Sequence, residues 1–101
     1  MNNNWASTYL EQFQLPNTVD EAAGQLILIL DNGQKTSLLS MQEEDLVNLH
    51  FGLGTAIRNV YKLHQLDSKL MASFGGPIHP DDVSAMIIKL LWQKLQDKSW
   101  I

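Results

Sequence analysis

A chain of 101 residues with 45% hydrophobic and 18% charged side chains has room for one domain around one core, and its composition is that of a folded globule rather than a disordered chain. It contains no cysteine, which excludes disulfides, thiolate metal sites and cysteine nucleophiles. A formal charge of -4 with scattered Lys and Arg speaks against generic nucleic-acid binding, because neutralising phosphates takes clustered cations.

The N-terminus, Met1-Asn2-Asn3-Asn4-Trp5, lacks the basic stretch and apolar core of a secretory signal, and no apolar run approaches the ~20 residues that span a bilayer. A cytoplasmic protein with no membrane segment is the expectation. Trp5, Tyr9 and Phe13 recur every fourth residue and predict a short N-terminal helix over 1–16, its aromatic stripe turned to the core and its end set by Pro16. Thr18-Val19-Asp20-Glu21 then reads as a capping box in which Thr18 and Glu21 satisfy each other's amides. The helix it opens carries Val19, Ala22, Ala23, Leu26 and Leu30 on one face, and Asp31-Asn32-Gly33 supplies residues that tolerate the left-handed conformation of a stop. Residues 26–39 leave an alternative, a buried strand entering a hairpin at Asn32-Gly33. The weak alternation of Gln34-Lys35-Thr36-Ser37 favours helix.

Ser40-Met41-Gln42-Glu43 is a second capping box and predicts the longest helix, running to about Leu63. Leu46, Leu49, Leu53, Ile57 and Val60 make its main apolar stripe, and Val47, Phe51, Gly54 and Arg58 make a second flank about a third of a turn away. A helix apolar on two sides is expected to pack on two sides. Asn48, Thr55 and Asn59 form the face left for solvent or a partner. Gly52 and Gly54 each cost about 0.5–1 kcal/mol relative to alanine in a helix interior, so a close approach to the backbone is expected there.

Asp67 is placed to cap a short helix through Leu70, Met71 and Phe74, ended by Gly75-Gly76-Pro77. Pro80 suits the first position of the last helix, with Asp81 and Asp82 in its first turn. Its core stripe is Val83, Met86, Ile87, Leu90 and Leu91, widened by Ile88, Trp92 and Leu95. The pattern predicts a single all-α domain over 1–101, a compact bundle of four to five helices. Its core is expected over 18–97, with the segments near 41–62 and 80–97 at its centre.

The polar residues set among these apolar stripes are His50, Arg58, Asn59, His79, Asp81 and Asp82. A guanidinium on a semi-apolar flank calls for a carboxylate, which points to a bridge from Arg58 to Asp81 or Asp82. The sharper alternative is a small polar pocket in which Arg58, Asn59 and His79 hold an anionic ligand. Adjacent helical carboxylates diverge by about 100°, so His79, Asp81 and Asp82 make a poor metal set and no metal or cofactor is assigned. His50, His64 and His79 are the only side chains titrating near neutrality, and no nucleophile elbow, phosphate loop, dinucleotide fingerprint or paired-histidine motif is present. A non-enzymatic protein is expected.

The same positions resemble a family of small uncharacterised bacterial proteins, a domain of unknown function. Its signature is met here in Glu44-Asp45-Leu46, His50-Phe51-Gly52-Leu53-Gly54, Ile57-Arg58-Asn59, Leu70, His79-Pro80-Asp81-Asp82, Ile87-Ile88 and Leu91-Trp92, over roughly residues 18 to 96. Where family members often carry an aromatic and a Gly-Asn pair, this chain has Lys62-Leu63-His64-Gln65-Leu66-Asp67. The resemblance implies an all-helical course over 18–30 and joins the two polar clusters into one signature, but implies no activity.

Small size, acidity and the lack of cofactor motifs suit a protein-binding domain, in particular an immunity or antitoxin-like inhibitor that occludes a basic toxin domain. The contact surface expected for it is Glu43, Glu44 and Asp45 with the Asn48, Thr55 and Asn59 face. The rivals are a ligand-binding or catalytic domain with its pocket around Arg58 and His79, and a homodimer that buries the last helix between protomers.

Overall fold

The computed structural model of the protein describes residues 13–97. Within them the chain forms five α-helices and no strand. Trp5 and Tyr9 lie outside the described residues. Residues 13–16 are not helical, and Phe13 is half-buried against the core.

Helix α1 spans Val19–Ile29 and begins as the sequence predicts, with Thr18 Oγ1 accepting the Glu21 N–H at 3.1 Å. The reciprocal half of the box differs. The Glu21 carboxylate accepts the N–H of Asn17 at 2.7 Å, one residue before the one expected. Ala22, Ala23 and Leu26 are fully buried, and small residues at two of these positions let another helix come close.

That neighbour is the C-terminal helix Pro80–Leu95, which α1 packs against more extensively than any other two elements pack. It starts on Pro80 as expected, capped by His79, whose Nδ1 accepts the Asp81 N–H at 3.1 Å. Val83, Ile87, Ile88, Leu91 and Leu95 are buried along it, whereas Met86 is exposed. The segment 43–60, taken together, meets this helix as extensively as α1 does, so Pro80–Leu95 is central as expected, with α1 and the 43–60 segment both packed on it.

Residues 26–39 are helical throughout apart from the break at Leu30 and Asp31, so no hairpin forms. Asp31 and Gln34 make a complete capping box, at 2.7 and 3.1 Å, that starts α2 over Asn32–Leu39. Asn32-Gly33 thus opens a helix instead of closing one: the Asp31 carboxylate accepts an amide inside α2 and draws the next two residues into its first turn.

The largest departure is the segment expected to be one long helix. It is wound three ways in succession: a 3₁₀ helix over Glu43–Leu49, a π turn over His50–Gly54, and helix α3 over Thr55–Val60. Ser40 does not cap it, because its hydroxyl donates back to the Ser37 carbonyl at 2.8 Å, and Gln42 at the start of the 3₁₀ helix makes no side-chain cap. Leu46, Leu53, Ile57 and Val60 are buried as expected, and Leu49 is half-buried. On the second flank Gly54 and Arg58 are buried, but Val47 is 74% and Phe51 88% exposed. The altered winding turns two members of one predicted face out to solvent.

Helix α3 closes in a Schellman motif, with Leu63 N–H bonded to Arg58 O at 3.0 Å, Lys62 N–H to Asn59 O at 3.3 Å, and Lys62 in the left-handed region at φ 56°. A short α4 follows over Lys69–Ala72, capped by Ser68 and not by Asp67: the Ser68 hydroxyl accepts the Met71 N–H at 3.2 Å. The C-terminal helix Pro80–Leu95 is α5. Two long-range hydrogen bonds tie the layers, Tyr61 OH to Ala22 O at 3.2 Å and Trp92 Nε1 to Met41 O at 3.0 Å.

Candidate functional site

Arg58 is the polar centre of the molecule, 7% exposed in the cleft between α3 and α5. Its Nη1 donates to Ser84 Oγ at 2.9 Å and its Nη2 to Thr55 Oγ1 at 2.9 Å and to the His50 carbonyl at 3.1 Å. Nε stands 3.4 Å from Asp81 Oδ1. A guanidinium has five N–H donors in a fixed plane, so these four acceptors leave little for an anionic ligand. Ser84 Oγ in turn donates to the Asp81 carbonyl at 3.0 Å, and Thr55 Oγ1 to the His50 carbonyl at 3.3 Å. The result is a closed network joining the π turn, α3 and the first turn of α5.

Of the two acids considered for Arg58, Asp81 is the one within reach. Its half-exposed carboxylate is also approached by His50 Nε2 and His79 Nδ1, each 3.8 Å from Oδ2. His79 Nδ1 also accepts the Asp81 N–H at 3.1 Å, the bond by which it caps the helix. His50 packs its ring edge-on to that of Phe51, with centroids 4.7 Å apart. Asn59 and Asp82 are exposed and stand outside the network. Gly54 explains itself here: a Cβ on it would sit 3.1 Å from Arg58 Nη1 and 3.3 Å from the Leu49 carbonyl. Gly52 has open space where its Cβ would be, so only one of the two glycines answers to a close approach.

Among residues of the expected contact surface, Glu44, Asp45, Asn48 and Asn59 are exposed, whereas Thr55 is half-buried and bonded into the Arg58 network. Glu43 is already paired, 3.0 Å from Lys89 Nζ on α5. Between the 3₁₀ helix and α5 lies a groove of about 310 Å³, lined chiefly by Leu46, Val47, His50, Ala85 and Ile88, with Glu43 and Lys89 at its rim. Its floor is apolar, and Phe51 stands exposed beside it in sequence with His50.

Sequence reasoning missed Ser84 and the groove. A signal for Ser84 existed: it is a hydroxyl three residues after Asp81, set between the buried Val83 and Ile87 on an apolar stripe. Nothing in the pattern marked the groove, which lies between the 3₁₀ helix and α5.

Among the described residues no three His, Asp or Glu are grouped to hold a metal ion, and no helix is long and apolar enough to cross a membrane. One family model, described as a domain of unknown function (DUF6794), matches residues 15–95. The chain belongs to that family. The DUF6794 match runs from before α1 to the end of α5, so the Arg58 network and the groove both lie inside it. No curated protein and no solved structure matches the chain.

Proposed function

We propose that this domain is an inhibitor of the immunity or antitoxin kind, which binds a basic toxin domain through the 3₁₀ helix and the groove beside it. The observation that carries the reading is the coincidence of Val47 and Phe51, both exposed, with an apolar groove and with the exposed carboxylates of Glu44 and Asp45. Isolated apolar side chains on a surface need no explanation, and Leu28 and Leu66 are such cases. Val47 lining an apolar groove, with Phe51 exposed next in the chain to the lining His50 and with Glu43 and Lys89 also in the lining, has the make-up of an interface: an apolar anchor region with a polar edge. A net charge of -4 and the local acids favour a basic partner, whose approach they accelerate. The Arg58 network supports this reading over a ligand pocket, because its donors already serve protein acceptors.

The test is to purify the tagged protein from its native host, identify by mass spectrometry what is retained, and measure binding of that protein once purified. A toxin domain held in fixed stoichiometry, with binding lost in Phe51→Ser and weakened in Glu44→Lys or Asp45→Lys, is the expected result. Recovery of the domain as a monomer alone, as a homodimer, or with a protein that Phe51→Ser binds equally well overturns it.

A further inference from the structure

The groove beside the 3₁₀ helix is a trough with two distinct ends. At one, Glu43 Oε1 meets Lys89 Nζ at 3.0 Å, and at the other His50 Nε2 stands 3.8 Å from Asp81 Oδ2, so the 3₁₀ helix and α5 run antiparallel along it. From Asp81 to Lys89 is roughly 12 Å of α-helix, and from Glu43 to His50 is roughly 14 Å at the 3₁₀ rise. The two walls match in length, and between the ends the lining is apolar, from Leu46 and Val47 on one side and Ala85 and Ile88 on the other. Each wall also begins with acids: Glu43, Glu44 and Asp45 in the first turn of the 3₁₀ helix, Asp81 and Asp82 in the first turn of α5. Because the walls are antiparallel, these turns stand at opposite ends of the trough. Side chains three apart eclipse one another in a 3₁₀ helix, and the His50 N–H extends that winding by bonding to the Val47 carbonyl. Glu44 therefore stands in one column with Val47 and His50, which line the trough, whereas Asp45 heads the next column with Asn48, off the trough. At the far end Asp82 lies one turn before Ala85 on the same side of α5.

We infer that the trough takes an amphipathic helix of the partner, with aliphatic side chains at i and i+4 on the apolar middle and Lys or Arg beyond each end. The inference rests on the docking reading above and names the element that docks. Three observations select this occupant. No strand exists among the described residues, so an extended segment finds no sheet edge, and a backbone laid over apolar walls must satisfy its own hydrogen bonds, as a helix does. The length of the walls is about two helical turns, which accommodates an i to i+4 pair of anchors roughly 6 Å apart and leaves the residues a turn further out at the acidic ends. The order acidic, apolar, acidic is complementary to a helix that is basic, apolar, basic. It opposes a second copy of this chain, whose like face would set carboxylates against carboxylates, and it opposes a phosphate backbone. The nearby cations do not reverse that sign, since Lys89 is held by Glu43 and the buried Arg58 serves protein acceptors. Glu44 is thereby the specificity-determining acid of the 3₁₀ helix, and Asp45 is not.

The probe is a fluorescent peptide of about 14 residues with two leucines at i and i+4 between lysines, stapled on its far face because a free helix of that length is marginal in water. Its control is a scrambled peptide of the same composition, in which leucines and lysines share no face. Fluorescence polarisation against the full chain is expected to show saturable binding of the stapled peptide alone. Binding should be lost in Ala85→Trp, which fills the trough from an exposed position, and weakened in Val47→Asn, which makes the opposite wall polar and decides the matter if Ala85→Trp does not fold. Glu44→Lys should weaken it about tenfold and Asp45→Lys by no more than about twofold. No saturable binding, equal binding of the scrambled peptide, unchanged binding in the folded trough variants, or equal losses in the two charge reversals overturns the inference. A toxin domain that Ala85→Trp retains as well as the wild type does keeps the inhibitor and removes the docked helix. A stapled peptide bound in the trough of a protein that retains no toxin keeps the helix site and removes the inhibitor.

Discussion

The α1–α5 pair and the segment 43–60 contain similar apolar side chains but solve different problems. In the pair, Ala22, Ala23 and Leu26 meet a continuous buried face of α5, and regular winding satisfies packing and hydrogen bonding at once. In 43–60 the two demands diverge. Burying Arg58 obliges the chain to find it acceptors, and one of those is the carbonyl of His50 in the π turn. The lesson is that an interior polar group can set the winding of the backbone that carries it, at the cost of exposing Val47 and Phe51.

The contrast can be broken first in the pair. Ile87→Ala removes a fully buried side chain between helices and should cost about 2–5 kcal/mol, read as a lower urea midpoint with an unchanged slope. Arg58→Ala comes next. It removes hydrogen bonds from a charged donor, and with Asp81 half-exposed and free to rehydrate, a loss of about 2 kcal/mol is expected in the same measurement. Arg58→Lys should recover only part of it, because one ammonium cannot serve four acceptors spread around a plane. Asp31→Ala, which removes the cap joining α1 to α2, should cost about 1 kcal/mol in thermal unfolding. The smallest effects belong to the docking face: Phe51→Ser and Glu44→Lys should change stability by no more than about 0.5 kcal/mol while abolishing or weakening capture of the partner. If Phe51→Ser were as damaging as Ile87→Ala, the two regions would not differ as described.

What was legible in the sequence follows the same division. The all-helical class, the cap at Thr18, the start at His79-Pro80 and the stripe of α5 were readable because each depends on neighbours a few residues apart. The approach of Arg58 to Asp81 was readable by residue type, since a guanidinium on an apolar flank demands an acceptor. The winding of 43–60 was not, because its apolar spacing fits an α-helix and the competing partners, Ser84 and the His50 carbonyl, are a distant residue and a backbone group. Ser40 shows the limit of motif reading at closer range. It has the spacing of a capping box with Glu43, yet its hydroxyl reached the Ser37 carbonyl at the end of α2 instead. For 26–39 the Asp31–Gln34 capping box, which the turn-like Asn32-Gly33 pair obscured, starts the second helix.

The Schellman closure of α3 bears on how this domain can move. Leu63 is buried, and its N–H holds the carbonyl of Arg58, the same residue whose side chain is fastened to α5. One residue thus takes part in closing the end of α3 through its backbone and in seating the helix on α5 through its guanidinium. The amides of α3 and of the turn after it are therefore expected to open to solvent as one unit, with similar protection from hydrogen exchange.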